Sequence, residues 1–98
     1  MIVVAGHIRV AAADRDVFVA RSRTAVELAR RAPGCHDFAV TADSADPDRV
    51  NVYERWTDRA ALRAFRGEGP DDDLSALIVS VAVDEFEVGE ISGSSTQT

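Results

Sequence analysis

A chain of 98 residues has room for one domain with one modest hydrophobic core. Its net charge of −6 argues against a nucleic-acid partner, because phosphate binding needs clustered basic residues and the 11 arginines are spread along the chain. The one cysteine, Cys35, excludes an intramolecular disulfide, and no run of about 18 apolar residues offers a membrane span. Because the first residues also lack the basic flank of a signal peptide, we expect a cytoplasmic protein with no membrane partner.

The first part of the chain predicts a strand and a long helix. Alternating side chains from Ile2 to Val10 are typical of a half-buried strand. A helix is predicted from Asp14 or Asp16 to about Ala32, where Pro33-Gly34 ends it. Glu27 is expected to pair with Arg30 or Arg31 on its polar side. The apolar stripe of this helix consists of Phe18, Ala25, Leu28, Ala29 and Ala32.

A hairpin and a short helix follow. One strand is predicted from Cys35 to about Thr41, and the polar residues 42–47 form a turn. The returning strand ends on Trp56, the one tryptophan of the chain. Asp58 or Thr57 then caps a short amphipathic helix, because either side chain can accept from the free N–H groups of the first turn.

The last part of the chain predicts a helix, a strand and a tail. Leu74, Leu77, Ile78 and Val81 follow helical spacing, and residues 83–91 are predicted as the last strand. The Ser- and Thr-rich residues 92–98 have nothing to bury and are predicted to be disordered. The domain therefore spans residues 1–91.

This order of elements, βαββαβ, is typical of the split βαβ, ferredoxin-like α+β fold. The fold has a four-stranded antiparallel sheet with helices on one face. The other face is too apolar to stay in water, so we expect a homodimer in which a second copy covers it. The residues assigned to this open face are Val3, Ala5, His7, Asn51, Tyr53 and Val83.

Two stretches carry a family resemblance. The first is the turn Pro33-Gly34-Cys35, and the second is residues 50–65, which contain the pattern yErW-x-D-x-x-A. Together they resemble the antibiotic biosynthesis monooxygenase family over most of residues 1–91. The resemblance implies a dimeric α+β barrel built from two such sheets.

The resemblance also implies a chemistry. Some relatives oxidise anthrone-type polyketides to quinones with oxygen alone, so that the substrate anion itself reduces oxygen inside a dry, apolar pocket. The sequence contains no Gly-rich phosphate loop, no G-x-S-x-G and no flavin or nicotinamide motif. Two histidines on separate strands are too few for a first-row metal site, so we expect neither a metal nor a cofactor.

Strand pairing predicts where this chemistry takes place. If Thr41 and Val50 lie near the ends of one hairpin, His36 falls opposite or diagonal to Glu54 and Trp56 on the helix-covered face. His36 is then the candidate base, since histidine exchanges protons most readily near neutral pH. Glu54 would orient the imidazole, and Trp56 would stack on a flat aromatic ligand. The side chains expected to bind the substrate are Phe38, Val52, Phe65 and Phe86.

Each candidate also has a structural interpretation. Trp56 can be a core residue, and His36 can be half-exposed at a strand end. Glu54 can pair with Arg21 of the first helix in a structural ion pair. Anthrone-oxidising relatives carry an asparagine four residues before the tryptophan, where this chain has Val52.

Three functional hypotheses follow. The first is a cofactor-independent monooxygenase that oxidises an anthrone- or quinol-type aromatic polyketide with molecular oxygen. The second is a non-oxidative polyketide cyclase or isomerase that uses the same pocket. The third is a non-catalytic dimeric domain that binds a small ligand. Oxygen consumption separates the first from the second, and turnover separates both from the third.

Overall fold

The computed structural model describes residues 1–67 and 72–89 of the chain. Within them the elements follow in the predicted order, and the helix before the last strand is shorter than predicted. They are β1 (Ile2–Val10), α1 (Arg15–Arg31), β2 (Cys35–Ala42), β3 (Arg49–Trp56), α2 (Arg59–Arg66), α3 (Asp72–Ser75) and β4 (Ile78–Glu87). A 3-10 turn (Ala12–Asp14) leads into α1.

The strands form one antiparallel sheet in the order β2-β3-β1-β4, which confirms the ferredoxin-like α+β fold. In the central pair, Ile2 lies opposite Trp56 and Val4 lies opposite Glu54. Because directly opposite residues point to the same face, these four side chains share the face that the helices cover. Both Trp56 and Val4 are completely buried there.

The core consists of two clusters of buried side chains. Each fully buried apolar side chain contributes about 1.5–3 kcal/mol, so both clusters matter for stability. The larger cluster contains Ile2, Val4, Ala29, Phe38, Trp56 and Leu62. The smaller one contains Val10, Phe18 and Val50.

The turn after α1 positions the start of α2. Gly34 has φ +83°, and a Cβ at this position would lie 2.6 Å from Cβ of Ala61, so a side chain fits neither the backbone nor the space. Its carbonyl accepts a hydrogen bond from the N–H of Thr57 at 2.8 Å. The carboxylate of Asp58 accepts from the N–H of Ala61 at 2.9 Å, which confirms the predicted cap of α2.

Three local predictions are wrong. The helical pattern that begins at Leu74 is helical only to Ser75, and Ile78 and Val81 belong to β4, which begins five residues before the predicted strand. Val83 lies opposite Gly6 and packs against the larger cluster, so it is on the covered face rather than the open one. Glu27 pairs with Arg23, one turn earlier in α1, at 3.3 Å.

The open face carries the odd-numbered residues of β1 and their partners. Val3 lies between Arg55 and Phe86, and His7 lies between Asn51 and Ala82. No helix in the described ranges is long and apolar enough to cross a membrane. The predicted tail, residues 92–98, lies outside the described residues.

Candidate active site

A cavity of about 830 Å³ lies between the covered face of the sheet and the helices. Its walls are mainly apolar and come from both core clusters: Phe38 belongs to the larger one and Phe18 to the smaller one. Glu54, Arg66 and Arg21 bring charge into these walls. The other apolar side chains that line it include Ile8, Leu28, Val40, Val52, Phe65, Leu74 and Ile78.

Glu54 is the buried acid of this cavity. Only 7% of the residue is exposed, and it lies two positions before Trp56 on β3, so both point to the same face. The indole Nε1–H of Trp56 donates to Oε1 of Glu54 at 3.0 Å. Within the described chain, Oε2 has no hydrogen-bond donor, yet it keeps solvent-accessible surface. Because Glu54 lines the cavity, Oε2 is the oxygen available to a ligand.

A series of charged side chains connects Glu54 with the edge strand β4. Arg66, the last residue of α2, has Nη2 at 4.0 Å from Oε1 of Glu54. Its Nη1 donates to Glu85 of β4 at 2.7 Å, and Arg59 donates to the other oxygen of Glu85 at 2.7 Å. Glu85 therefore ties both ends of α2 to the edge of the sheet.

The surroundings of the two acids shift their pKa values in opposite directions. Burial raises the pKa of Glu54 and outweighs the hydrogen bond from Trp56 and the charge of Arg66, which both lower it. The hydrogen bond from Arg66 lowers the pKa of Glu85, and the charges of Arg66 and Arg59 act in the same direction. A carboxylate with a raised pKa binds a proton more tightly, so Glu54 is the better base of the two.

Three aromatic rings close one end of the cavity. The Phe38 ring meets Phe65 edge to face at a centroid distance of 5.7 Å, and it meets Trp56 at 6.4 Å. Trp56 and Phe65 lie 5.4 Å apart with their planes tilted by 33°. Phe38 and Phe65 face the cavity, whereas Trp56 is fully buried behind them. The indole ring therefore supports the wall and holds Glu54, and its faces are already occupied.

The structure brings four of the predicted site residues together around the cavity: Glu54, Phe38, Val52 and Phe65. Trp56 contacts Glu54 as expected from its position on β3. His36 and Phe86 do not join them.

His36 lies at a β-bulge in β2. Cys35 pairs with Trp56 and Asp37 pairs with Arg55, so His36 is one extra residue in this strand. The bulge turns Cys35 toward the core, while His36 is exposed and its Nε2 lies 2.8 Å from Oγ1 of Thr57. The prediction that His36 shares the covered face with Glu54 is therefore wrong, because it assumed an unbroken alternation.

Phe86 lies on the open face. It is opposite Val3 in the pairing of β1 with β4, and half of it is exposed. The prediction placed it beside Phe38 and Val52, but β4 carries apolar residues at both odd and even positions. Alternation alone therefore does not show which of its faces is covered.

Sequence reasoning missed Arg66 as part of the site. It ends an amphipathic helix directly after Phe65, and an arginine in the last turn of a helix is common for reasons of the helix dipole. The available signal was its position beside Phe65, which does line the cavity.

A second groove, of about 710 Å³, runs along α2 beside the Pro33-Gly34 turn. Its polar side chains are already engaged, since Asp58 caps α2 and Thr57 contacts His36. In the part of the chain that the structure describes, no group of three or more His, Cys, Asp or Glu residues is arranged to hold a metal ion. The larger cavity, with Glu54 in its wall, is therefore the candidate site.

The described residues form a small ferredoxin-like fold with a mainly apolar cavity, and Glu54 is the buried acid in its wall. The chain belongs to the antibiotic biosynthesis monooxygenase family, whose sequence model matches residues 1–70. An uncharacterised protein of Synechocystis, sll1783, is 38% identical over 61 residues. That match covers 62% of this chain and 42% of the relative, so the chain spans less than half of the relative's length.

Solved structures of low sequence identity share the fold. A candidate antibiotic biosynthesis monooxygenase from Nitrosomonas europaea has a TM-score of 0.79 and 20% identity, and the match covers 94% of this chain and all of that one. A conserved protein from Methanosarcina mazei has a TM-score of 0.77 and 18% identity, with 87% and 89% covered. Rv0793 from Mycobacterium tuberculosis has a TM-score of 0.75 and 21% identity, with 92% and 96% covered.

Proposed function

We propose that this protein is a cofactor-independent monooxygenase that oxidises a flat, electron-rich aromatic substrate of the anthrone or quinol type, such as an aromatic polyketide. The observation that carries the proposal is the Glu54 carboxyl, which is buried in the wall of an apolar cavity with Oε2 available to a ligand. A volume of about 830 Å³ is within the range of small-molecule sites and suits a tricyclic ring system.

Glu54 acts as the base in this proposal. An anthrone gives the same delocalised anion whether it loses a proton from its CH₂ group or from the hydroxyl of its enol tautomer, and Oε2 accepts that proton. Burial raises the pKa of Glu54, which makes the carboxylate a stronger base than an exposed one. Trp56 is a positioning residue, because its N–H occupies Oε1 and leaves Oε2 for the substrate.

The substrate anion supplies the electrons. It reduces molecular oxygen and forms a new C–O bond, and protonation gives a hydroperoxide at the former CH₂ carbon. Loss of the remaining C–H proton then forms the carbonyl, the O–O bond breaks, and hydroxide leaves as water after it takes up a proton. One CH₂ and one O₂ thus become one C=O and one H₂O, and the carbon gives up the four electrons that oxygen gains.

We further propose that the protein works as a homodimer in the cytoplasm, where Cys35 stays reduced. The open face supports a second copy, because Phe86 is 50% exposed and Tyr53 is 38% exposed on it. Arg55 on the same face has a buried Nε with no hydrogen-bond acceptor in the described part of the chain. A facing carboxylate or carbonyl from the second copy would supply one.

Oxygen uptake tests the enzymatic proposal. Purified, chelator-treated and flavin-free protein is mixed with dithranol, and oxygen consumption and quinone formation are followed together. We expect uptake above the spontaneous rate, and a loss of kcat/KM of about 100-fold or more in Glu54→Gln, because general-base catalysis contributes about 10²–10⁴-fold. Glu27→Gln makes the same chemical change on the exposed side of α1, away from the cavity, and should keep the parent rate.

Circular dichroism confirms that both variants are folded. Uptake that does not exceed the background, or that is equal in Glu54→Gln and the parent, overturns the proposal. Non-oxidative turnover of a polyketide would then support a cyclase or isomerase. Saturable binding without turnover would support a ligand-binding domain.

A further inference from the structure

We propose that Arg66 binds the oxygen of a phenol or enol group of the substrate, so that the site accepts this oxygen as an anion while Glu54 takes its proton. This inference rests on the proposed function and names the chemical group that the cavity recognises. The juxtaposition that carries it is Arg66 and Glu54 in one cavity wall, close to each other but not hydrogen-bonded.

The position of Arg66 leaves donors available. Nη1 is used by Glu85 at 2.7 Å, and this bond fixes the guanidinium against β4. Nη2 lies 4.0 Å from Oε1 of Glu54, which is beyond hydrogen-bond distance. In residues 1–67 and 72–89, Nη2 has no other recorded acceptor. A ligand oxygen can therefore accept from Nη2 without displacing an existing hydrogen bond.

The local charges match an anionic oxygen once Glu54 is neutral. Arg59 and Arg66 share the one carboxylate of Glu85, so Glu85 alone does not balance them. Ionised Glu54 supplies the second negative charge. When a phenol transfers its proton to Oε2, the O–H bond of the ligand breaks, a new O–H bond forms on Glu54, and the electron pair stays on the ligand oxygen. The negative charge thus moves from Glu54 to the ligand and stays beside Arg66.

This arrangement favours the tautomer that carries the O–H group. An anthrone has an enol tautomer with a phenolic hydroxyl, and loss of that proton gives the same delocalised anion as loss of a CH₂ proton. Binding the oxygen at Arg66 stabilises this anion where its charge develops, as preorganised donors do at oxyanion sites. The apolar walls, including Phe38 and Phe65, then hold the ring system.

The test uses 4-nitro-1-naphthol, whose anion absorbs visible light at wavelengths where the neutral form is transparent. Spectra of the bound probe across a pH series give its ionisation in the site. We expect binding to lower the pH at which the probe ionises by one unit or more. In Arg66→Gln this shift should disappear and the affinity for the anion should fall about 10- to 100-fold, the range for a charge-assisted hydrogen bond.

Two controls separate this role from general effects. Arg63→Gln removes the same charge from the same helix, but Arg63 does not line the cavity, so the shift should remain. The methyl ether of the probe fits the same walls without an acidic hydrogen, and it should bind the parent and Arg66→Gln with equal affinity. Arg66→Lys should restore part of the shift.

Each outcome has a distinct meaning. An unchanged shift in Arg66→Gln overturns the inference, and so does an equal loss of affinity for the probe and its methyl ether. An Arg66-dependent shift in a protein that consumes no oxygen sustains the anion site and overturns the monooxygenase. Oxygen uptake that needs Glu54 but is indifferent to Arg66 sustains the monooxygenase and overturns the anion site.

Discussion

Glu54 and Arg55 are neighbours on β3, yet they carry their charges into two different surroundings. Glu54 points to the covered face, where Trp56 donates to it and Arg66 lies 4.0 Å away. Arg55 points to the open face, and its buried Nε has no acceptor in the described chain. Burying an unpaired polar atom costs about 1–3 kcal/mol, so this difference is energetically significant.

The two faces of the sheet therefore differ in whether their polar side chains find partners among the described residues. The covered face supplies partners for its own charge and closes its core with Leu62, which is fully buried. On the open face Phe86 and Tyr53 are partly exposed, and Nε of Arg55 has no hydrogen-bond acceptor among residues 1–67 and 72–89. The candidate site on the covered face is therefore formed within one chain, whereas the open face is the surface on which we propose that a second copy packs.

The largest expected effect is the loss of the aromatic side chain that fills the covered face. Trp56→Ala should lower the free energy of unfolding by about 3–5 kcal/mol, because Trp56 is completely buried and contacts both Phe38 and Phe65. Tyr53→Ala, on the open face of the same strand, should cost about 1 kcal/mol or less in dilute, monomeric protein. Urea unfolding followed by circular dichroism measures both, and equal losses would refute the contrast between the faces.

The next effect concerns association through the open face. If the protein forms the proposed homodimer, Phe86→Asp should weaken it by about 30-fold or more, as expected when an aromatic contact of an interface is lost. Val17→Asp is the matched control, because Val17 is exposed to the same degree but lies on α1. Sedimentation equilibrium gives the dissociation constants. A parent protein that stays monomeric at high concentration, or two variants that dissociate equally, would show that the open face is not the interface.

The smallest effect is a pH dependence from Glu54. Burial raises the pKa of Glu54 in the folded state, so the neutral carboxyl favours folding, and this contribution is lost as the pH rises through the folded pKa. Gln at this position is neutral at every pH and can still accept from Trp56. The free energy of unfolding of Glu54→Gln, relative to the parent, should therefore increase as the pH rises above the ordinary glutamate pKa of about 4.5. A difference that does not change with pH would contradict the raised pKa.

Much of the fold could be predicted from local patterns in the chain. Alternation in β1 correctly predicted that Val4 and Val3 point to opposite faces of the sheet, and the capping residue Asp58 correctly marked the start of α2. The spacing of Leu74, Leu77 and Ile78 gave a wrong prediction of a longer helix. Three apolar residues at these positions fit one face of a helix, but they fit a loop that leads into a strand equally well. Long-range pairing with β1, which extends β4 back to Ile78, is invisible to a local window.

The candidate site was predicted in part: Phe38 and Phe65 line the cavity as expected, and the most direct prediction concerned residues that share one unbroken strand. Glu54 and Trp56 lie two positions apart on β3, so their contact follows from alternation. The predicted position of His36 was wrong because one extra residue between Cys35 and Asp37 reverses the faces of β2 at that point. Arg66 was missed because its place beside Glu54 depends on how α2 packs and on its bond to Glu85 of β4.

The hydrogen bond from Trp56 to Glu54 also makes the protein its own optical sensor. The chain has one tryptophan, so all indole emission originates 3.0 Å from the acid of the candidate site and within 5.4 Å of the Phe65 ring. A proton on Glu54, or a ligand that displaces Phe65, changes the surroundings of this one fluorophore. An acid–base titration of the unlabelled protein can therefore report the protonation of Glu54 before any substrate is known.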